Sequence, residues 1–222
     1  MKYPVNEVFE TIQGEGFFTG VPAIFVRLQG CPVGCSWCDT KHTWDVIEDN
    51  RVAPELVIQV DGTIGRWAEL TAEELISNFK IKGFTAKHVV ITGGEPCLHD
   101  LIPLTESLHL SGYATQIETS GTFEVICSDK TWVTVSPKIN MKAGLPILEQ
   151  ALIRANEIKH PVATQAHIDD LDCLLKGIPL AEKTICLQPI SQKSRATELA
   201  MRVCIERNWR LSIQTHKYLD ID

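Results

Sequence analysis

No stretch of the 222-residue sequence stays apolar for the ~20 residues that a membrane-spanning helix needs. The opening residues, MKYPVNEVFE, lack an apolar core of the secretory kind, so no signal peptide is expected. There is no basic surplus: 21 Lys and Arg stand against 28 Asp and Glu, a formal charge of −7. That weighs against non-specific nucleic-acid binding, which needs a cationic footprint. A small-molecule substrate is the compatible class, with neither nucleic acid nor membrane as partner. No low-complexity linker and no repeat divides the chain. Its length suits one large domain or two small ones, and a single domain over 1–222 is expected. Eight cysteines are too sparse for a disulfide scaffold of this size. The expected compartment is the reducing cytoplasm, where clustered cysteines mean metal or catalysis.

What the chain does have is an alternation of short apolar runs with helical patterns. The runs are AIFVRLQ (23–29), HVVIT (88–92), TQIET (115–119), WVTVS (132–136), EIKHP (157–161), TICLQ (184–188) and RLSIQ (210–214). Between them, Thr71 and Glu74 are spaced as a capping box, with Leu75, Ile76 and Phe79 on one helical face. Leu148, Ala151, Leu152 and Ala155 form a second stripe, and Leu199, Ala200, Val203 and Cys204 a third. Strands alternating with helices imply βαβ units and a parallel sheet. Nearly every run ends in Gly, Pro or a polar residue, as the active ends of barrel strands do. The expected fold is therefore α/β, a partial (β/α) barrel of about six parallel strands. The irregular segment 46–70 reads as an insertion after the first strand.

Strand parity adds a second inference. In AIFVRLQ, Ile24, Val26 and Leu28 point one way, and Phe25, Arg27 and Gln29 the other. With the aliphatic set against helices, Arg27 faces a lumen. The same parity places Thr92, Glu118, Ser136, Gln188 and Gln214 inside. So polar a lumen needs partners, and a polar, anionic substrate would supply them. The alternative is a structural ion pair between Arg27 and Glu118.

Three cysteines, Cys31, Cys35 and Cys38, fall within the stretch GCPVGCSWCDTKHTW. A structural zinc site closes with four ligands, and His42 leaves a Cys3His site as one alternative. Zinc cysteines, however, usually come as loop-separated pairs and not as CxxxCxxC. Iron–sulfur cubanes take cysteine thiolates, normally four. Three would leave one iron open to chelate a small molecule. Cys97, Cys127, Cys173, Cys186 and Cys204 show no second cluster spacing and read as free thiols.

The motif CPVGCSWC resembles the CxxxCxΦC signature of radical S-adenosylmethionine (SAM) enzymes, and GGEP (93–96) resembles that superfamily's second motif. The segments ETIQGEG, VVITGGEPC, QIETSGT, VSPK, QPISQK and QTHKYL extend the likeness to nearly the whole chain. Within the superfamily they resemble the 7-carboxy-7-deazaguanine synthases. That family rearranges 6-carboxy-5,6,7,8-tetrahydropterin to 7-carboxy-7-deazaguanine with loss of ammonia, on the queuosine route of tRNA modification. The resemblance implies a lyase with a [4Fe–4S] cluster on Cys31, Cys35 and Cys38, SAM used catalytically, and Mg2+ on Thr40. It implies SAM contacts at Trp37, Asp39, Gly94, Ser136, Lys138 and Gln188. Substrate contacts fall at Ile12, Gln13, Gly14, Arg27 and Thr92, with the C-terminal Asp222 approaching the substrate. A flavodoxin-type electron donor and a homodimer are implied too.

Bland readings stand beside several of these. Trp37 would equally be an ordinary core aromatic and Lys138 a solvated surface charge. Asp39 and Thr40 would be a turn-forming pair. Glu15 either meets the guanidine-like edge of a pterin or is a surface turn carboxylate. His216 and Lys217 are expected at the barrel mouth. Two rivals to the whole reading are another small radical SAM enzyme, such as a glycyl-radical activating enzyme, and a non-catalytic zinc or iron–sulfur module.

Overall fold

The computed structural model describes residues 1–57, 65–190 and 193–219. The chain opens with β1 (Tyr3–Ile12), which returns antiparallel as β2 (Pro22–Leu28). After short 3-10 turns, β3 (Ala68–Leu70) pairs antiparallel with β1. Then come α1 (Ala72–Ile81), β4 (His88–Gly93), α2 (Ile102–Leu110), β5 (Ala114–Thr119) and β6 (Trp132–Val135). They are followed by α3 (Glu149–Arg154), β7 (Glu157–Val162), α4 (Gln165–Leu174), β8 (Thr184–Pro189), α5 (Ser194–Arg207), β9 (Arg210–Leu211) and α6 (His216–Leu219). One nine-stranded sheet takes the order β3-β1-β2-β4-β5-β6-β7-β8-β9. From β2 to β9 every neighbouring pair is parallel.

The α/β architecture expected from the sequence is present, and all seven apolar runs become parallel strands. Seven parallel strands among the described residues accord with the expected partial barrel of about six, the last being only two residues long. The run expected as the first strand is the second, because β1 precedes it. The segment 46–70 is indeed irregular, but it ends in β3, which joins the sheet; residues 58–64 of it lie outside the described residues.

Local chemistry explains the boundaries. Thr71 caps α1: its Oγ1 accepts from the Glu74 amide at 3.2 Å, and Glu74 Oε2 accepts from the Thr71 amide at 2.7 Å. Leu75 and Phe79 on that helix are fully buried, each contributing about 1.5–3 kcal/mol of apolar burial. At the far end of the chain, α5 stops at Asn208, which takes the left-handed conformation (φ 54) that ends many helices.

β1 has an irregular register. Val5 lies opposite Leu28 but Glu7 opposite Arg27, so the strand carries one extra residue, Asn6. Tyr3 and Val5 belong to the core, and so does Val8. Core-facing parity therefore switches at this bulge, as a single inserted residue requires. Asn6 itself is held by hydrogen bonds from its Nδ2 to Gln29 Oε1 and Arg66 O, both 2.8 Å.

Candidate active site

The C-terminal ends of the strands surround a cavity of about 550 Å3. Fifteen of the sixteen residues singled out by the sequence line it. They are Cys31, Cys35, Cys38, Trp37, Asp39, Thr40, Gly94, Ser136, Lys138, Gln188, Ile12, Gln13, Gly14, Arg27 and Thr92. The sixteenth, Asp222, lies outside the described residues. Glu118 and Gln214, placed inside by parity, line it as well.

The cysteine loop leaves β2 at Gln29 and is tied at its base. The amides of Gly30 and Cys31 donate to the carbonyls of Thr43 and Trp44 at 2.7 and 2.9 Å. Gln29 Nε2 donates to the carbonyls of His42 and Asp45 at 2.9 and 2.8 Å. All three thiols are free. Burial pushes the Cys31 thiol up to about 11 and also raises Cys35, against the pull of the Lys138 charge. Thiols so placed favour the neutral form unless a cation is supplied to them. Among the described residues no three His, Cys, Asp or Glu side chains close on one point as a single metal ion needs. A cubane asks for something different, one thiolate on each of several irons. The donor set fits that cluster. His42 does not line the cavity, so the Cys3His zinc alternative lacks its fourth ligand.

GGEP follows β4 and packs directly on this loop. The amides of Gly94 and Glu95 donate to the carbonyls of Leu28 and Gly30, both at 2.8 Å. A Cβ on Gly94 would fall 2.0 Å from Gly30 O. The absence of a side chain at Gly94 thus serves first the approach of two backbone segments. Glu95, which the sequence did not single out, is buried and accepts from Thr119 Oγ1 at 2.6 Å, Ser120 N at 2.9 Å and Cys97 N at 3.0 Å. It fastens the end of β4 to the end of β5.

Several bland alternatives fail. Trp37 is 47% exposed and no core aromatic. Lys138 is inside the cavity, where its Nζ donates to Ser136 Oγ at 2.7 Å and burial lowers its pKa. Arg27 does pair with a carboxylate, but with Glu7 at 2.5 Å and not with Glu118. Glu118 pairs instead with Lys159 at 3.0 Å, and Lys159 pairs with Glu15 at 2.7 Å. Glu15 is therefore no surface turn residue. Lys217 lines the mouth, 4.0 Å from Asp39, and Thr40 Oγ1 sits 3.6 Å from Cys38 Sγ.

The GEGFF segment after β1 forms the cavity's floor, crossing the N-terminal ends of the strands. Phe17 packs at a tilt against Trp132 and Phe18 against His88, with centroids 4.6 and 4.4 Å apart. The Phe17 amide donates to Glu157 Oε1 at 3.1 Å, and the Gly16 amide to Ser212 Oγ at 2.9 Å. Gly16 has φ +69, and a Cβ there would meet Glu157 Oε1 at 2.3 Å. His88, Trp132 and Glu157 each begin a strand, so the loop plugs the barrel from below.

Above the floor lies a charged layer. Burial pushes the Glu118 carboxyl up to about 7 against the pull of Lys159, with Glu157 and Glu15 adding to the rise. Burial works against the charge on Lys159, but Glu118 and Glu15 outweigh it and hold that ammonium above the ordinary lysine value. Lower still, the polar groups satisfy one another: Gln116 Nε2 donates to Thr134 Oγ1 at 3.1 Å, and Thr134 Oγ1 to Glu157 Oε2 at 2.9 Å. The lower polar groups of the lumen therefore find partners within the protein, without a substrate. Lys159 was missed in the sequence, although the alternation of EIKHP carries the signal: Lys159 and Pro161 both line the cavity.

Comparison with known proteins accords with this geometry. Residues 25–132 match the radical SAM superfamily. The chain is 58% identical over all 222 residues to the 7-carboxy-7-deazaguanine synthase of Escherichia coli K12, covering that protein entirely. It is 49% identical, again over the full length of both, to that of Buchnera aphidicola subsp. Schizaphis graminum. The crystal structure of QueE from Escherichia coli superposes with a TM-score of 0.94 at 57% identity, covering 96% of this chain and 94% of that one. End-to-end similarity of this kind, in sequence and in backbone, makes the chain a member of the 7-carboxy-7-deazaguanine synthase family, within the radical SAM superfamily.

Proposed function

We propose that the protein converts 6-carboxy-5,6,7,8-tetrahydropterin to 7-carboxy-7-deazaguanine with loss of ammonia, in queuosine biosynthesis. The observation that carries this is one cavity lined by three free thiols together with Arg27 and the charged layer of Lys159, Glu118 and Glu15. Cys31, Cys35 and Cys38 hold a [4Fe–4S] cluster, which with SAM supplies the radical chemistry when bound. The protein's part is to orient, to exclude water and to hold charge.

On this reading Trp37, Asp39, Gly94, Ser136, Lys138 and Gln188 bind SAM. Lys138, buried beside Cys35, presents a cation suited to the carboxylate of an amino acid. Ile12, Gln13, Gly14, Arg27, Thr92 and Asp222 bind the pterin. Arg27 offers a planar fork to the substrate carboxylate. Thr40 ligates Mg2+, whose remaining oxygens come from substrate and water; its hydroxyl stands beside Cys38. The whole chain acts as one domain, a reading supported by the single sheet that runs through it. A homodimer, a flavodoxin-type electron donor and a cytoplasmic location complete the proposal. Among the described residues no helix is long and apolar enough to cross a membrane.

Anaerobic incubation of the reconstituted protein with SAM, a reductant and the carboxypterin tests this. The deazapurine product and ammonia are expected with no protein substrate added. SAM cleavage only in the presence of a second protein would refute the proposal in favour of an activating enzyme.

A further inference from the structure

Glu7 belongs to none of the motifs that mark the cavity, yet the fold delivers it to Arg27. Continuing the Val5–Leu28 pairing regularly would set Asn6 opposite Arg27; the extra residue sets Glu7 there instead. Bulges beside active sites often re-aim a side chain in this way. Glu7 Oε1 accepts from Arg27 Nε at 2.5 Å, and the two side chains are only 21% and 17% exposed. The Phe9 ring lies 5.8 Å from the guanidinium carbon and stacks on Phe25 at 5.3 Å. The guanidinium is thus held at one edge and backed by an aromatic pair.

The hydrogen bond uses Nε alone. Among the described residues the two terminal nitrogens of Arg27 have no hydrogen-bond partner. They are the pair that grips a carboxylate through two parallel N–H bonds. We propose that Glu7 is the positioning residue for Arg27: the β1 bulge brings its carboxylate to Nε, so that the terminal N–H pair is presented to a carboxylate in the cavity. Glu7 also neutralises a mostly buried guanidinium before ligand arrives, which an unpaired charge would not tolerate. The inference rests on the reading that Arg27 binds the substrate carboxylate.

The test compares two ligands that differ in that group alone, 6-carboxytetrahydropterin and unsubstituted tetrahydropterin. Their binding to the anaerobically reconstituted protein with SAM is followed by calorimetry. Glu7→Ala is expected to weaken the carboxylated ligand about tenfold or more, the scale of a charge-assisted bond, and the unsubstituted one less than ~2-fold. Added to Arg27→Ala, it should change carboxypterin binding by less than ~2-fold, since both act through one contact. In turnover it should raise KM more than it lowers kcat. Glu7→Asp keeps the charge but falls a methylene short of Nε, and it should lose the same selectivity; it decides the matter if Glu7→Ala does not fold. If Arg27→Ala discriminates between the ligands and the Glu7 variants do not, the positioning inference is overturned while the Arg27 contact stands. If Arg27→Ala weakens both ligands equally, the carboxylate reading fails and the inference with it.

Discussion

Replacing Lys159 by Met removes the cation that pairs with both Glu15 and Glu118 in the charged layer and keeps the stem's bulk. Lys159 Nζ lies 2.7 Å from Glu15 Oε2 and 3.0 Å from Glu118 Oε2, with its side chain 6% exposed. Deleting one partner of a buried ion pair costs about 3–5 kcal/mol. That is the expected loss at pH 8, out of a typical domain stability of about 5–15 kcal/mol. The loss depends on pH, and Glu118 sets the sign. Its folded pKa of about 7 lies above the ordinary value of 4.5, so the folded state binds this proton more tightly. Its contribution to stability is therefore present at low pH and lost as pH rises through 7. Without the lysine, which now pulls that pKa down, the carboxyl rises further. The gap between wild type and variant should then narrow between pH 8 and pH 5, as Glu118 protonates and one of the uncompensated charges disappears. Urea titration of the cluster-free reduced chain, followed by circular dichroism at both pH values, measures it. A companion Glu118→Gln change should recover much of the loss at pH 8. A loss below ~1 kcal/mol at pH 8, the size of a solvent-exposed pair, or an equal loss at both pH values would refute the reasoning.

Cys35→Ala should lose cluster iron and abolish 5′-deoxyadenosine release, whereas Cys204→Ala, buried on α5, should keep both; full activity in Cys35→Ala would sink the cluster assignment. Thr40→Val keeps the shape and removes the oxygen, so Mg2+ stimulation of turnover should fall while iron content and SAM binding persist. Equal stimulation in both proteins would put the metal elsewhere. Gly94→Ala drives a methyl group to 2.0 Å from Gly30 O, and because that atom is backbone the expected destabilisation is about 2–3 kcal/mol. A melting temperature unchanged from wild type would show that the two segments part easily.

Seven of the nine strands among the described residues were legible because each is a short run with apolar residues on one face, bounded by Gly, Pro or polar residues. β1 was not, because its bulge breaks the alternation: Tyr3 and Val5 are core and so is Val8, which fits neither a strand nor a helix period. β3 is three residues long, too short to carry a pattern. The lumen was legible through parity, which placed Thr92, Glu118, Ser136, Gln188 and Gln214 on the cavity wall. Ion-pair partners were not, since parity gives the direction of a side chain and not its neighbour. Arg27 took Glu7 from the unrecognised strand, and Glu118 took Lys159, two strands away in the sheet.

The floor joins the two ends of the chain. Thr215 donates through its amide and its hydroxyl to Gly14 O, 201 positions earlier, and Gln214 Nε2 reaches Glu15 Oε1 at 2.8 Å. Contacts of such sequence separation form late, because a long loop must close before they reward it. On a translating ribosome, β4 to β8 can pair before residues 212–215 emerge, and until then the GEGFF plug is held by His88, Trp132 and Glu157, without Ser212, Gln214 or Thr215. Until those residues join, the floor beneath the three thiols is fastened on one side only.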